Sequence, residues 1–190
     1  MTDFEADIEP CLAVLDQGGT ILYPTDTVWG IGCDATNEAA VEKVYALKER
    51  SLLKSMIVLV AEPKDILQYV ASPDPRVFEL LEKTTRPTTM IFEGAIGFAQ
   101  NLIADNGSIG IRIVQDTFCR HLIKRFRKPI TSTSANISGD PAPGNFKQVL
   151  NHIRTGVDYV VGYRQDDETI AQPSAIYKWN RNGSVTIIRP

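Results

Sequence analysis

Five consecutive apolar residues, Met56-Ile57-Val58-Leu59-Val60, limit the folds open to this chain more than any other feature. Strand side chains alternate between two faces, so a run with no polar member asks for burial on both. It therefore reads as a central strand, and the remaining pattern supplies its neighbours. Residues 4–17, with Ile8, Leu12, Val14 and Leu15, predict an opening helix that Gly18-Gly19 stops. Thr36 or Asn37 caps a helix to about Glu49, and shorter helices are expected at 63–70, 74–83 and, after Asp116, 117–127. Strands are expected at Thr20–Tyr23, Thr88–Phe92, Ile109–Val114, Ile130–Thr133, Asp158–Val161, Ala175–Trp179 and Val185–Ile188. Arg181-Asn182-Gly183 turns the last hairpin, and Gly94–Gly107 reads as a loop. Asn145 with Gln148 three residues on resembles a capping box opening a helix to about Ile153. The mixture predicts one α/β domain over residues 1–190, a mixed sheet flanked by helices.

Several function classes are excluded or disfavoured. A net charge of -3 argues against a generally basic, non-specific nucleic-acid binder. No apolar run approaches the roughly 18 residues of a membrane span, and the acidic start MTDFEADIEP lacks a signal-peptide pattern. Cys11, Cys33 and Cys119 are too widely spaced for a CxxC metal pair and odd in number for a disulfide framework. The cytoplasm is the expected compartment. Neither a Walker A motif nor GxGxxG is present. His121 and His152 fall in predicted surface helices and read as structural or solvated.

Five places could carry chemistry, each at or near a strand end. The first is Tyr23–Cys33, where an apolar strand breaks into Thr25, Asp26 and Thr27 and then into Gly30 and Gly32. Hydroxyls and a close-approaching backbone suit a ligand, yet Pro, Asp and Gly also make an ordinary tight turn. Lys48, Arg50 and Lys54 place three cations ahead of the central strand, where they could hold a polyphosphate or complement a helix end. Ser108–Ile113 carries Arg112 in an otherwise apolar strand, either solvated or lining a cleft where Gly110 leaves room for an anion. Thr131–Ser138 has six hydroxyl or amide side chains in eight residues, fit to cradle phosphate or ribose or to satisfy its own turns. Ser174 and Arg189 form the fifth place. A basic helix with Arg120, Lys124, Arg125, Arg127 and Lys128 reads as a solvated face or a nucleic-acid contact. A site of cations, hydroxyls and amides suits the positioning of anions better than proton shuttling.

These segments together resemble the YrdC-like family, in particular its bacterial TsaC-type threonylcarbamoyl-AMP synthases. The likeness runs from Gly19 to Arg189 through YPTDTVWGIGCDA, LKERSLLKSMIVLV, SIGIRI, STSANISG, PSAI and TIIRP. It implies a twisted, open α/β sheet with a concave, positively charged groove. It also implies that L-threonine, bicarbonate and ATP, with Mg²⁺ on the phosphates, give threonylcarbamoyl-AMP and pyrophosphate for t6A modification of tRNA. Proteins that transfer the threonylcarbamoyl group would act downstream. By motif position the resemblance implies catalytic roles for Lys48, Arg50, Ser134 and Asn136. It places ATP on Arg50, Lys54, Ser108, Ser134 and Arg189, and threonine on Thr27, Arg112, Ser132 and Ser174. The chain departs from the family pattern at Trp29, Ser55, Thr85–Thr89 and Ala175. Two other readings stand beside the synthase: a YciO-type paralogue acting on a related adenylate or modified tRNA, and an RNA-binding module without synthase activity.

Overall fold

The structure is a computed structural model and describes residues 4–51, 55–180 and 182–190. Among the described residues nine strands form one mixed sheet. They are β1 (Ile21–Tyr23), β2 (Gly30–Gly32), β3 (Ile57–Val60), β4 (Thr88–Glu93), β5 (Ser108–Ile113), β6 (Ile130–Ser134), β7 (Tyr159–Val160), β8 (Ala175–Trp179) and β9 (Val185–Arg189). Their spatial order is β7-β1-β2-β6-β3-β5-β4-β8-β9. The apolar run forms β3 at the centre, parallel to β5 and antiparallel to β6. Leu59 joins one apolar cluster while Val58 and Val60 join the other, which is the two-faced burial the run demands.

The two faces are covered unequally. α1 (Glu5–Asp16) and α5 (Thr117–Phe126) pack together, and their Ile8, Leu15, Phe118 and Leu122 meet Tyr23, Leu59 and Ile130. On the other side α2 (Glu38–Leu47), α3 (Pro63–Tyr69), α4 (Arg76–Lys83) and α6 (Asn151–Gly156) contribute Val41, Val44, Ile66, Val77 and Ile153. The caps read from the sequence form: Asn37 accepts from Ala40 N at 3.1 Å, and Asp116 from Cys119 N at 2.9 Å.

The capping box at Asn145 does not form. Residues Phe146–Gln148 make a single 3₁₀ turn, and α6 begins only at Asn151. Gln148 Oε1 instead accepts from Gly144 N at 2.8 Å, and Asn145 Nδ2 donates to Glu168 O at 3.4 Å. Backbone groups of the surrounding loops take the side chains the box would have used. The Gly94–Gly107 loop holds a 3₁₀ turn, Gln100–Leu102, which buries Leu102. Asn182 and Gly183 lie in the β8–β9 hairpin, with Gly183 at φ +80°, while Arg181 lies outside the described residues.

Gly32 is fixed by packing. A Cβ there would stand 2.6 Å from Thr131 O, 2.7 Å from Tyr23 Cε1 and 2.9 Å from Ile130 Cγ2. Two of these neighbours are side chains held in the core and one is backbone, so none yields easily. Gly32→Ala is therefore expected to lower the unfolding free energy by about 1–3 kcal/mol, read as a lower urea midpoint at unchanged slope.

Candidate active site

Strand register gathers the candidate side chains. Arg112 pairs with Leu59 of β3 and Thr89 of β4, and Gly110 pairs with Ile57. Ile57 also pairs with Ser132, Gly30 with Ser134, and Ile176 with Thr89 and Arg189. Directly opposed residues share a face, so these rows stand on the face that α1 and α5 only partly cover. There they border a cavity of about 280 Å³, which Thr27, Arg50, Arg112, Ser132, Ser134, Asn136, Ser174 and Arg189 all line. Asp140 lines the same cavity.

Arg112 is buried, 2% exposed, so the cleft reading holds and the solvated one does not. Its Nη2 lies 3.1 Å from Asp26 Oδ1, and Asp26 Oδ2 accepts from Gln115 N at 2.8 Å. Across the cavity Arg189 Nε donates to Ser174 O at 2.9 Å, and Ser174 Oγ lies 2.9 Å from Thr89 Oγ1. Burial first, and then Arg112, lower the Arg189 pKa. Arg50 Nη2 donates to Ser55 O at 2.9 Å, and burial lowers its pKa while Tyr45 opposes the shift.

Within Tyr23–Cys33 the turn and the cavity lining fall to different residues. Tyr23 pairs with Gly30, so Pro24–Trp29 is a turn between antiparallel strands. Thr25 serves that turn: its Oγ1 accepts from Thr27 N at 3.0 Å and donates to Val28 O at 2.9 Å. Thr27 and Gly30 line the cavity. Gly30 has Ser132 Oγ 3.2 Å from an added Cβ, whereas Gly32 packs against β6 and the Tyr23 ring. Trp29 packs at a tilt of 49° against Phe146, with ring centroids 4.7 Å apart. With Asp26, Thr27 and Arg164 it borders a second hollow.

Lys48 and Asn136 act chiefly on the protein itself. Lys48 is 1% exposed and does not line the cavity. Its Nζ donates to Ser134 O, to Asn136 O at 2.5 Å and to Asn136 Oδ1 at 3.4 Å. Asn136 Nδ2 donates to Asp140 O at 2.6 Å and Ile137 O at 3.0 Å. The pair thus closes the 134–140 loop, whose Ser134 faces the cavity. Burial, then Arg50, lower the Lys48 pKa to about 8. Ser108 stands on the Arg112 face of β5, four residues toward its start, and does not line the cavity. Lys54 lies outside the described residues.

Two residues escaped the sequence reading. Asp26 reads from the sequence only as a turn residue, yet a lone arginine in an apolar strand is the signal that a carboxylate should come to meet it. Arg164, at φ +62°, donates to Thr25 O at 2.9 Å and pairs with Asp116 at 3.2 Å, with no local pattern to announce it. On the basic helix Lys124 pairs with Glu62, Arg125 with Glu9, and Lys128 with Asp34 at 2.7 Å, which favours the solvated-face reading. His121 and His152 are exposed. The three cysteines are buried and free. No helix among the described residues is long and apolar enough to cross a membrane, and none of those residues form a metal-holding cluster of His, Cys, Asp or Glu.

The profile of the Sua5_yciO_yrdC family, described as "Telomere recombination", matches residues 13–190. The "Threonylcarbamoyl-AMP synthase" of Stenotrophomonas maltophilia is 31% identical over 90% of this chain and 93% of its own. Among solved structures, "P. abyssi Sua5 complexed with L-threonine" superposes with a TM-score of 0.86 at 19% identity, over 98% of this chain and 54% of that one. E. coli YciO superposes with a TM-score of 0.83 at 18% identity, over 97% and 88%. At these identities the two structures speak for the fold alone, and this chain spans about half of the Sua5 chain.

Lys48→Met would leave the carbonyls of Ser134 and Asn136 without their donor. It is expected to destabilise the fold by roughly 3 kcal/mol and to raise amide exchange across residues 136–140. The folded pKa, about 8, lies below the ordinary lysine value of 10.5, so between these values the unfolded chain binds the extra proton. The Lys48 contribution to stability should therefore grow as pH rises through that window and fade below it. Chemical denaturation of both proteins from pH 7 upward checks this, since Lys48→Met lacks the titration.

Proposed function

The chain belongs to the Sua5–YciO–YrdC family, and from that premise we propose that it is an L-threonylcarbamoyladenylate synthase, a nucleotidyl-transferring enzyme. The observation that carries the reading is the convergence of Arg50, Arg112 and Arg189 with the hydroxyls of Thr27, Ser132, Ser134 and Ser174 on one cavity. No His or Cys is among the described residues lining it. Such a lining suits a reaction in which anions must be assembled and no strong base is needed.

The proposed chemistry has that character. The neutral amine of threonine attacks the carbon of bicarbonate, giving a carbamate and water. A carbamate oxygen, already anionic, then attacks the α-phosphorus of ATP. The bond from that phosphorus to the bridging oxygen breaks, and pyrophosphate leaves. The protein holds the reactants in line and stabilises charge on the leaving group.

Roles within the cavity are assigned from the family resemblance. Arg112 takes the threonine carboxylate, with Ser174, Ser132 and Thr27 around the rest of the amino acid. Arg50, Ser134 and Arg189 hold the nucleotide, and Lys54 is assigned to it by the resemblance. Ser108 would reach only a part of the nucleotide that extends beyond Gly110. Lys48 and Asn136 shape the loop that presents Ser134. Mg²⁺ fits this donor set as an ion carried on phosphate oxygens and water, with Asp140 as the carboxylate at hand; it would neutralise phosphate charge. The name of the Stenotrophomonas maltophilia relative, a threonylcarbamoyl-AMP synthase, supports threonine as substrate. The product would pass, in the cytoplasm, to proteins that transfer threonylcarbamoyl to the tRNA adenosine beside the anticodon. The Lys48/Arg50 and Ser134/Asn136 pairs favour the synthase over the YciO-type reading. The ion pairs of Lys124 and Arg125 on α5, and of Lys128 just after it, weigh against a pure RNA-binding module.

Pyrophosphate release from ATP is expected to require both threonine and bicarbonate, and release that ignores either omission would reject the reaction. Arg50→Ala should fold and lose about 10- to 150-fold in turnover, the value of one charge-assisted hydrogen bond. Thr27→Val should raise the KM for threonine more than that for ATP, and equal rises would count against its place.

A further inference from the structure

Asp26 makes two contacts on one stretch of chain. Oδ2 accepts from Gln115 N at 2.8 Å, just past the end of β5, and Oδ1 reaches back to Arg112 Nη2 at 3.1 Å. The side chains are 9% and 2% exposed, so both charges have left water. Asp26 is not among the residues lining the cavity, whereas Arg112 is. The ion pair is close but not aligned as a hydrogen bond: Asp26 Oδ1 and Arg112 Nε and Nη2 all lack hydrogen-bond partners among the described residues. Asp26 thus balances the charge of the guanidinium without using up its donors.

We propose that Asp26 is the positioning residue for Arg112, fixing the guanidinium so that it can bind the carboxylate of the amino-acid substrate. The inference rests on the threonine reading of the cavity. A single buried guanidinium is costly without a counter-charge. Arg189, lining the same cavity, adds a second cation, whose proton affinity burial and then Arg112 lower. Asp26 lets the two cations coexist before substrate arrives. Its anchor on Gln115 N, two residues past the end of β5, sets the carboxylate from the same stretch of chain that carries Arg112. When a substrate carboxylate enters, the unsatisfied donors of Arg112 gain acceptors, and the Asp26 contact keeps the fork from swinging away. Asp26 touches no substrate in this account and acts only through the arginine.

The test is a kinetic cycle on the full chain, with pyrophosphate release as readout, for Asp26→Asn, Arg112→Met and the double variant. Asp26→Asn is expected to raise the threonine KM by about tenfold while the ATP KM stays within about twofold. In the Arg112→Met background the same change should alter the threonine KM by less than about twofold, because a residue acting through Arg112 has nothing left to position. Equal rises in both KM values, or a full effect in the Arg112→Met background, would overturn the proposal. If Arg112→Met itself leaves the threonine KM unchanged, the carboxylate reading of the cavity fails, and the role of Asp26 with it. The double variant leaves no uncompensated charge and should fold in any case. Should Asp26→Asn alone not fold, Asp26→Glu, which keeps the charge on a longer arm, takes its place in the cycle and the same outcomes decide.

Discussion

A buried guanidinium in the middle of a β-sheet is the constraint on which much of this molecule turns. Arg112 sits between Leu59 and Thr89, neighbours that offer it no charge. Holding a cation there costs several kcal/mol unless an anion comes within contact distance. No strand adjacent to β5 supplies one. The anion arrives from far along the chain, on the turn between β1 and β2, and this obliges Pro24–Trp29 to fold down against the end of β5. Other ties secure the same turn: Arg164 holds Thr25 O, and the Cys119 thiol donates to Pro24 O at 3.2 Å. Asp116, which caps α5, also pairs with Arg164, so the start of that helix and the turn are set together.

A second buried cation is answered in a different way, and the difference follows from side-chain chemistry. The ammonium of Lys48 is compact and can point donors in several directions. It meets backbone carbonyls of the 134–140 loop, which bring partial charges and no carboxylate. Such a partner set leaves the desolvation of the cation incompletely repaid, and its pKa falls. The arginine, planar and always charged, cannot escape by losing a proton, so it requires a full counter-charge. One cation therefore builds a loop, while the other, matched at its back by Asp26, keeps capacity toward the cavity.

The sequence made legible what local physics determines. The run at Met56–Val60, the caps at Asn37 and Asp116 and the glycine stop after α1 each act over a few residues, and each appears where read. The hydroxyl-rich segment after β6 and Arg112 were also visible, because polar groups in apolar strands are conspicuous. What stayed hidden depends on chain returning from a distance. Gln148 looked like half of a capping box until Gly144 N claimed it. Gly32 looked like a ligand-facing glycine, and only the register with β6 shows that it makes room for the Tyr23 ring. Lys48 reads as a cation beside Arg50, but burial turns it inward, and Ser108 lies on the right face at the wrong height. Asp26 and Arg164 acquire meaning only once the turn is folded onto β5 and α5.

The unequal covering of the sheet explains why a cavity exists where these residues meet. A sheet face not packed by helices must be polar or must be occupied. Here the uncovered area holds Arg112, Ser132, Ser134 and Ser174, side chains that a packed helix could not satisfy without matching donors and acceptors. Two helices suffice on that side because Tyr23, Leu59 and Ile130 confine its apolar part to one end. The apolar residues thus decide where helices stop, and the polar rows beyond that line are left for molecules that can meet them. A reaction among three anionic or zwitterionic reactants needs such an area. It must be dry enough to strengthen each charge contact, yet open along one side so that a nucleotide can enter.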